Sequence, residues 1–178
     1  MTAVATTLVL GGARSGKSAF AEKLIGASGL KPVYLATATA GDDEMSARIA
    51  HHRARRAEGW TTIEEPLALT EALSRQAALG RAVLVDCLTL WLSNLMLAER
   101  DPERESRALA GFLQATPHLI ILVSNEVGLG LVPETPLGRR FRDAQGRLNQ
   151  VVAAAVANVV FIAAGLPLWL KRSSLMEN

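Results

Sequence analysis

Gly11-Gly12-Ala13-Arg14-Ser15-Gly16-Lys17-Ser18 decides how this chain is read. The spacing Gly-x4-Gly-Lys-Ser is that of a loop whose backbone N–H groups turn inward around a phosphate. Its lysine reaches the β- and γ-phosphates, and its hydroxyl ligates Mg²⁺. The mechanism needs a strand before the loop and a helix after it, because the positive helix N-terminus completes the anion site. Both are present: Thr6–Leu10 is a short β-rich run, and Ser18–Ile25 is helical in pattern. At ordinary glycine usage about one chain in a hundred of this length carries the spacing by chance, and the strand–helix context lowers that further. Gly11, Gly12, Ala13, Arg14, Ser15, Gly16, Lys17 and Ser18 are therefore candidate nucleotide contacts, with Lys17 catalytic and Ser18 a metal ligand.

Working outward, strands and helices alternate. Pro32–Thr37 is a second strand, and Gly41-Asp42-Asp43-Glu44 caps a helix running through roughly Arg56. Leu67–Leu79 reads as a helix, Ala82–Asp86 as a buried strand and Leu88–Leu97 as an apolar helix. Glu99–Arg107 alternates charge around Pro102 and reads as a solvated loop or helix start. Leu119–Ser124 is the most apolar strand. Thr135-Pro136 then caps a helix whose residues Leu137, Phe141, Ala144 and Leu148 share a face. Val151–Leu170 is long enough to raise a membrane span, but Asn158 and Gly165-Leu166-Pro167 interrupt it. It reads instead as a helix end, a turn and a strand over Val159–Ala164. The alternation implies one α/β domain over residues 1–178, three layers deep, with a mostly parallel central sheet and helices on both faces.

Composition narrows the function. The 178 residues are 49% hydrophobic and 20% charged, which buries a core and excludes disorder. A net charge of +2 and an aromatic content of 4% supply neither the basic surface nor the stacking ladder of a nucleic-acid binder. One cysteine, Cys87, excludes an internal disulfide and a cysteine-cluster zinc site, and a reducing cytoplasmic compartment is the simplest setting. The short run Leu8-Val9-Leu10 lacks the basic flank of a signal peptide.

A phosphate loop needs a second carboxylate at the end of a neighbouring apolar strand to hold Mg²⁺ or its water. Asp86 fits, although a strand-end acid can also cap the next helix. Cys87 beside it reads as a small core residue. In the helix through Arg56, Met45 and Ile49 mark the inner face, and His52 lies on it with Arg56 one turn on; His51 falls on the shoulder. An imidazole near a triphosphate serves as base or as nucleophile at phosphorus. On spacing alone, a solvated surface helix accounts for the same residues equally well. Glu64 offers a carboxylate for the ring N–H and exocyclic amine of guanine, and equally reads as an exposed acid.

Further stretches tie these together: Tyr34-Leu35-Ala36-Thr37; Asp42 to Met45 with Arg48-Ile49, His52 and Arg56; Trp60 and Glu64; Asp86-Cys87-Leu88-Thr89-Leu90-Trp91; Asn125-Glu126-Val127-Gly128; Val132-Pro133-Glu134; Phe141-Arg142-Asp143; and Gly146 to Gln150. Nearly end to end, the chain resembles the bifunctional adenosylcobinamide kinase/adenosylcobinamide-phosphate guanylyltransferase family of cobalamin biosynthesis. The resemblance implies a RecA-like P-loop NTPase scaffold in a homotrimer, with ATP or GTP and Mg²⁺. It implies phosphorylation of adenosylcobinamide, then transfer of GMP from GTP through a guanylylated histidine to give adenosylcobinamide-GDP. It assigns that histidine to His52, with His51 the neighbouring alternative. Nucleotide contacts fall on Gly11 to Ser18, Ala36, Thr37, Ala38, Arg53, Ala54, Arg55, Arg56, Glu64 and Asp86, with Ser18 and Asp86 on the metal. Leu90, Trp91 and the Asn125–Pro133 loop are candidates for the corrinoid, and core packing or a subunit contact explains them equally. The other readings are a P-loop kinase of a different small metabolite, without a covalent nucleotide, and a nucleotide-regulated binding protein.

Overall fold

A computed structural model describes residues 5–38 and 59–173. In chain order the elements are β1 (Thr7–Gly11), α1 (Lys17–Ala27), β2 (Lys31–Ala36), β3 (Thr61–Glu64), α2 (Leu69–Gln76) and β4 (Arg81–Asp86). They continue with α3 (Leu88–Leu97), α4 (Pro102–Ala115), β5 (Leu119–Asn125), α5 (Pro136–Ala155), β6 (Asn158–Ala163) and β7 (Leu166–Lys171). The seven strands form one sheet in the order β3-β2-β4-β5-β1-β6-β7. All neighbours are parallel except β7, which returns antiparallel to β6.

The central strands are apolar on both sides, as burial under helices demands. On one face Val9, Leu84, Ile121, Val123, Val160 and Ile162 pack with Ala21 and Ile25 of α1. The opposite face packs Leu8, Val83, Val85, Ile120 and Leu122 against α2, α3, α4 and α5, with Trp91, Leu92 and Leu109 wholly buried. This is the expected α/β P-loop architecture, with helices on both faces.

Several elements depart from the sequence reading. The charged stretch around Pro102, read as a solvated loop or a helix start, is the latter and opens a full helix, α4. Asp101 is its N-cap and accepts from the Glu103 and Arg104 N–H groups, and Leu109 and Leu113 face the core. The helix expected over Leu67–Leu79 is shorter, since the Glu65 carboxylate accepts from Leu67 N and Ala68 N just before it and Leu79 is exposed. Thr135 caps α5 as expected, its Oγ1 accepting from Gly138 N at 3.1 Å, but Leu137 lies exposed off the buried face. Gly165-Leu166-Pro167, read as a helix breaker, makes the hairpin between β6 and β7. Ala164 and Gly165 both take positive φ there, at 51° and 80°, as a two-residue hairpin turn requires. No described helix is long and apolar enough to cross a membrane.

Candidate functional site

The strands β1, β5, β4, β2 and β3 end at one edge of the sheet, and the candidate residues collect there. In the register Gly11 lies beside Asn125, Asp86 beside Val123, and Ala36 between Asp86 and Glu64. One strand, β5, separates the loop-bearing β1 from the acid-bearing β4.

Residues 12–16 lead from β1 into α1. Gly11 has φ 153°, and a Cβ there would overlap the Ile162 carbonyl oxygen and lie 2.7 Å from Ser15 Oγ. Gly16 takes φ 100° as the residue before the helix, and Arg14 also adopts a positive φ, 55°. The hairpin turn at the far end of the chain rests on this loop, Gly165 N donating to Ser15 O at 2.9 Å.

Lys17 opens α1 and is buried. Its Nζ donates to Gly12 O at 2.5 Å and reaches Ser15 Oγ at 3.5 Å. Burial pulls its pKa below the ordinary lysine value, while the negative charge of Asp86 acts in the opposite direction. Lys17 and Asp86 are thus electrostatic neighbours although 69 positions apart in sequence. Ser18 follows Lys17 in the first turn of α1 and is partly exposed.

Asp86 ends β4. Tyr34 Oη, on the neighbouring β2, donates to Asp86 Oδ2 at 3.1 Å. Thr37 binds the same strand end from the side: its Oγ1 donates to Cys87 O at 2.7 Å and accepts from Cys87 N at 2.9 Å. The Thr37 carbonyl in turn accepts from Asn94 Nδ2 at 2.7 Å. Thr37 is fully buried with its hydroxyl committed to Cys87, and Ala36 and Ala38 flank it half-buried. Glu64 is exposed at the end of β3. Burial, then the charge of Asp86, pushes the Cys87 thiol up to about 12, which keeps it protonated and inert.

Ser18 and Asp86 offer hard oxygen donors of the kind Mg²⁺ takes, at the loop and at the second strand beyond it. Among the described residues no cluster of three or more His, Cys, Asp or Glu could hold a metal by itself. His51, His52, Arg53, Ala54, Arg55 and Arg56 lie outside the described residues. Trp91 is fully buried with Nε1 donating to Leu67 O at 2.9 Å, so it is a core residue and not part of a surface groove for the corrinoid.

Three features went unread in the sequence: the Tyr34–Asp86 bond, the Thr37 clamp and the fixing of Asn125. In the last, Asn125 N donates to Thr89 Oγ1 at 2.9 Å, and Asn125 O accepts from Asn149 Nδ2 at 3.1 Å. Each links residues dozens of positions apart, and nothing in local spacing marks them.

The family described as "Cobinamide kinase / cobinamide phosphate guanyltransferase" matches residues 7–170. The chain belongs to this family. Among its relatives, the "Bifunctional adenosylcobalamin biosynthesis protein CobP" of Pseudomonas aeruginosa is 55% identical over 171 residues, covering 94% of this chain and 98% of the relative. The "Bifunctional adenosylcobalamin biosynthesis protein CobU" of Escherichia coli is 41% identical over 179 residues, covering 92% and 98%.

Solved structures of low identity share the family's fold. An ATPase of the type III secretion system of pathogenic bacteria superposes with TM-score 0.59 at 13% identity, over 97% of this chain and 57% of that one. The P4 protein of bacteriophage phi6, solved with ADP, gives TM-score 0.53 at 17% identity over 97% and 56%. At these identities the likeness shows the fold alone: a P-loop NTPase sheet.

Proposed function

We propose that this protein phosphorylates adenosylcobinamide and then transfers GMP from GTP to that phosphate, forming adenosylcobinamide-GDP for cobalamin assembly. The observation that carries the reading is a phosphate loop whose buried Lys17 feels the charge of Asp86 across one intervening strand, in a chain 55% identical to a bifunctional cobalamin-biosynthesis protein over nearly its whole length.

In the kinase step the aminopropanol hydroxyl oxygen of the corrinoid attacks the γ-phosphorus. The new P–O bond forms as the β–γ bridging bond breaks and the hydroxyl proton is lost. Lys17 and the loop N–H groups of residues 11–18 orient the triphosphate and offset its charge. Ser18 and Asp86 would hold Mg²⁺, which would supply further charge neutralisation on the triphosphate when bound.

In the transferase step the His52 imidazole attacks the α-phosphorus, forming N–P and releasing pyrophosphate. An oxygen of the corrinoid phosphate then attacks that phosphorus and frees the imidazole. Arg53 to Arg56 offset charge on the phosphates, Ala36, Thr37 and Ala38 line the nucleotide through their backbone, and Glu64 reads guanine. Glu64 stands four strand spacings from β1, about 19 Å at ~4.8 Å each, so the nucleotide lies lengthwise across the strand ends. The chain works in the cytoplasm as a homotrimer. The row of exposed Leu166, Leu168 and Leu170 along the edge strand β7 gives subunits an apolar surface to share.

GTP labelled at the α-phosphate tests this directly. Acid-labile, base-stable label on the protein is expected, and His52→Ala abolishes it. Label that survives in His52→Ala and disappears in His51→Ala moves the nucleophile to His51. Phosphorylation of adenosylcobinamide without any adduct overturns the transferase half.

A further inference from the structure

The tip of β5 lies between the phosphate loop and Asp86, and one residue on it is held with unusual care. Asn125 donates its backbone N–H to Thr89 Oγ1 at 2.9 Å and accepts at its carbonyl from Asn149 Nδ2 at 3.1 Å. The next N–H, of Glu126, donates to Gly11 O at 3.0 Å. Three consecutive polar groups of the strand tip are thereby fixed: to the helix that follows Asp86, to α5, and to the loop strand.

Behind it stands a buried polar cluster. Ser124 Oγ donates to Asn149 Oδ1 at 2.7 Å, and Gln145 Nε2 donates to both Ser124 Oγ at 3.0 Å and Asn149 Oδ1 at 2.9 Å. Gln145 is completely buried, and its Oε1 has no partner. An unsatisfied buried carbonyl oxygen costs stability, and a cluster that tolerates it points to a role other than stability.

The cluster also fixes where Asn125 points. Ser124 binds α5, and Glu126 lines the cleft beside α5 together with Asn149 and Leu10. Side chains alternate along a strand, so Asn125, between them, faces the other side of the sheet, which carries α1 and Lys17. Asp86 faces that same side, since it bonds Tyr34 of the α1-face core. The Asn125 carboxamide has no hydrogen-bond partner among the described residues.

A triphosphate with its β-phosphate in the loop after β1, and its β- and γ-oxygens turned toward Asp86 on β4, carries its γ-phosphate over the strand between them. We propose that the Asn125 side-chain NH₂ is a catalytic donor to the γ-phosphoryl group, with Thr89, Ser124, Gln145 and Asn149 as its positioning residues. It acts on the charge that spreads over the γ-oxygens as the β–γ bond breaks. With its backbone held beforehand, it has only its own side-chain torsions to set at that moment. The inference rests on the kinase reading above and assigns Asn125 to that half alone, because the guanylyl transfer reacts at the α-phosphorus.

The test uses the full-length protein, assaying phosphorylation of adenosylcobinamide and, separately, GMP transfer from GTP to pre-formed adenosylcobinamide phosphate. Asn125→Ala lowers kcat of the first by about 100-fold, the typical cost of one transition-state donor, with KM for the corrinoid little changed. GMP transfer, in which the bond broken lies at the α-phosphorus, falls at least about tenfold less. Asn125→Asp places a carboxylate against the γ-phosphate. It weakens binding of a non-hydrolysable triphosphate analogue at least about tenfold while leaving nucleoside diphosphate affinity nearly unchanged, a contrast that a purely structural role does not produce. Unchanged phosphorylation in Asn125→Ala, parallel loss of both transfers, or equal loss of di- and triphosphate binding in Asn125→Asp overturns the assignment. A wild-type protein that performs neither transfer overturns the proposed function itself.

Discussion

Tyr34 and Asp86, 52 positions apart, meet across adjacent parallel strands with the phenol donating to the carboxylate at 3.1 Å. The bond holds Asp86 Oδ2 toward the α1 side of the sheet, where Lys17 lies. If Asp86 holds the metal as proposed, a hydrogen-bond partner of its carboxylate is worth about 10–100-fold in metal affinity or activity when removed. Tyr34→Phe is therefore expected to keep the fold while raising the Mg²⁺ concentration that half-saturates phosphorylation by about tenfold. A Mg²⁺ titration of the initial rate checks it, and an unchanged half-saturation point would separate Asp86 from the metal.

Lys17 is buried, and its pKa lies below the ordinary lysine value, chiefly through desolvation. The unfolded chain, whose lysine titrates near ~10.4, therefore binds more protons than the folded one in the interval just below that pH. Stability contributed by this site rises with pH there. Lys17→Met should abolish this increment and lose both transfer activities by at least about 100-fold, with no loss of thermal stability at neutral pH. Denaturant midpoints of the two proteins from pH 8 to pH 10, compared in the same salt, read the difference.

Trp91 is fully enclosed and spends its indole N–H on the Leu67 carbonyl. Trp91→Phe keeps most of the volume but leaves that carbonyl without its donor, a loss of about 1–3 kcal/mol. Urea unfolding should show it, with KM for the corrinoid unaltered. A raised KM at unchanged stability would return Trp91 to the substrate groove.

Cys87 is the one cysteine in the chain, buried and with its thiol pushed up to about 12. A thiol-specific alkylating reagent at pH 8 should leave native protein unmodified and label it stoichiometrically once unfolded. Rapid labelling of active protein would place an exposed thiolate where the structure puts a packed side chain.

What could be read in the sequence follows from how local each signal is. Gly11 to Ser18 is legible because its chemistry is contiguous, and Asp86 because it terminates an unbroken apolar run. β3 escaped notice because in four residues only Ile63 turns inward, too little for an alternation to show. β7 carries apolar residues at successive positions with no alternation, since Leu166, Leu168 and Leu170 are exposed while Trp169 on the other side packs against Phe20. Charge left the stretch before α4 open between a solvated loop and a helix start, and Asp101-Pro102 makes it the start of a helix. The Thr37 clamp, the Tyr34 bond and the Ser124–Gln145–Asn149 cluster arise only when distant segments meet, so no window along the chain contains them.

The strand that carries the phosphate loop is made more than a hundred residues before its two sheet neighbours, residues 119–125 and 158–163, and the turn resting on the loop is at residue 165. On the ribosome, where elongation runs at about 5–20 residues per second, β1 waits several seconds for anything to pair with. Until residues 158–165 have been made, the loop strand has at most one of its two neighbours and the loop lacks the turn that rests on it. A chain that stops short of residue 158 carries the whole motif but lacks one of the two strands that brace it.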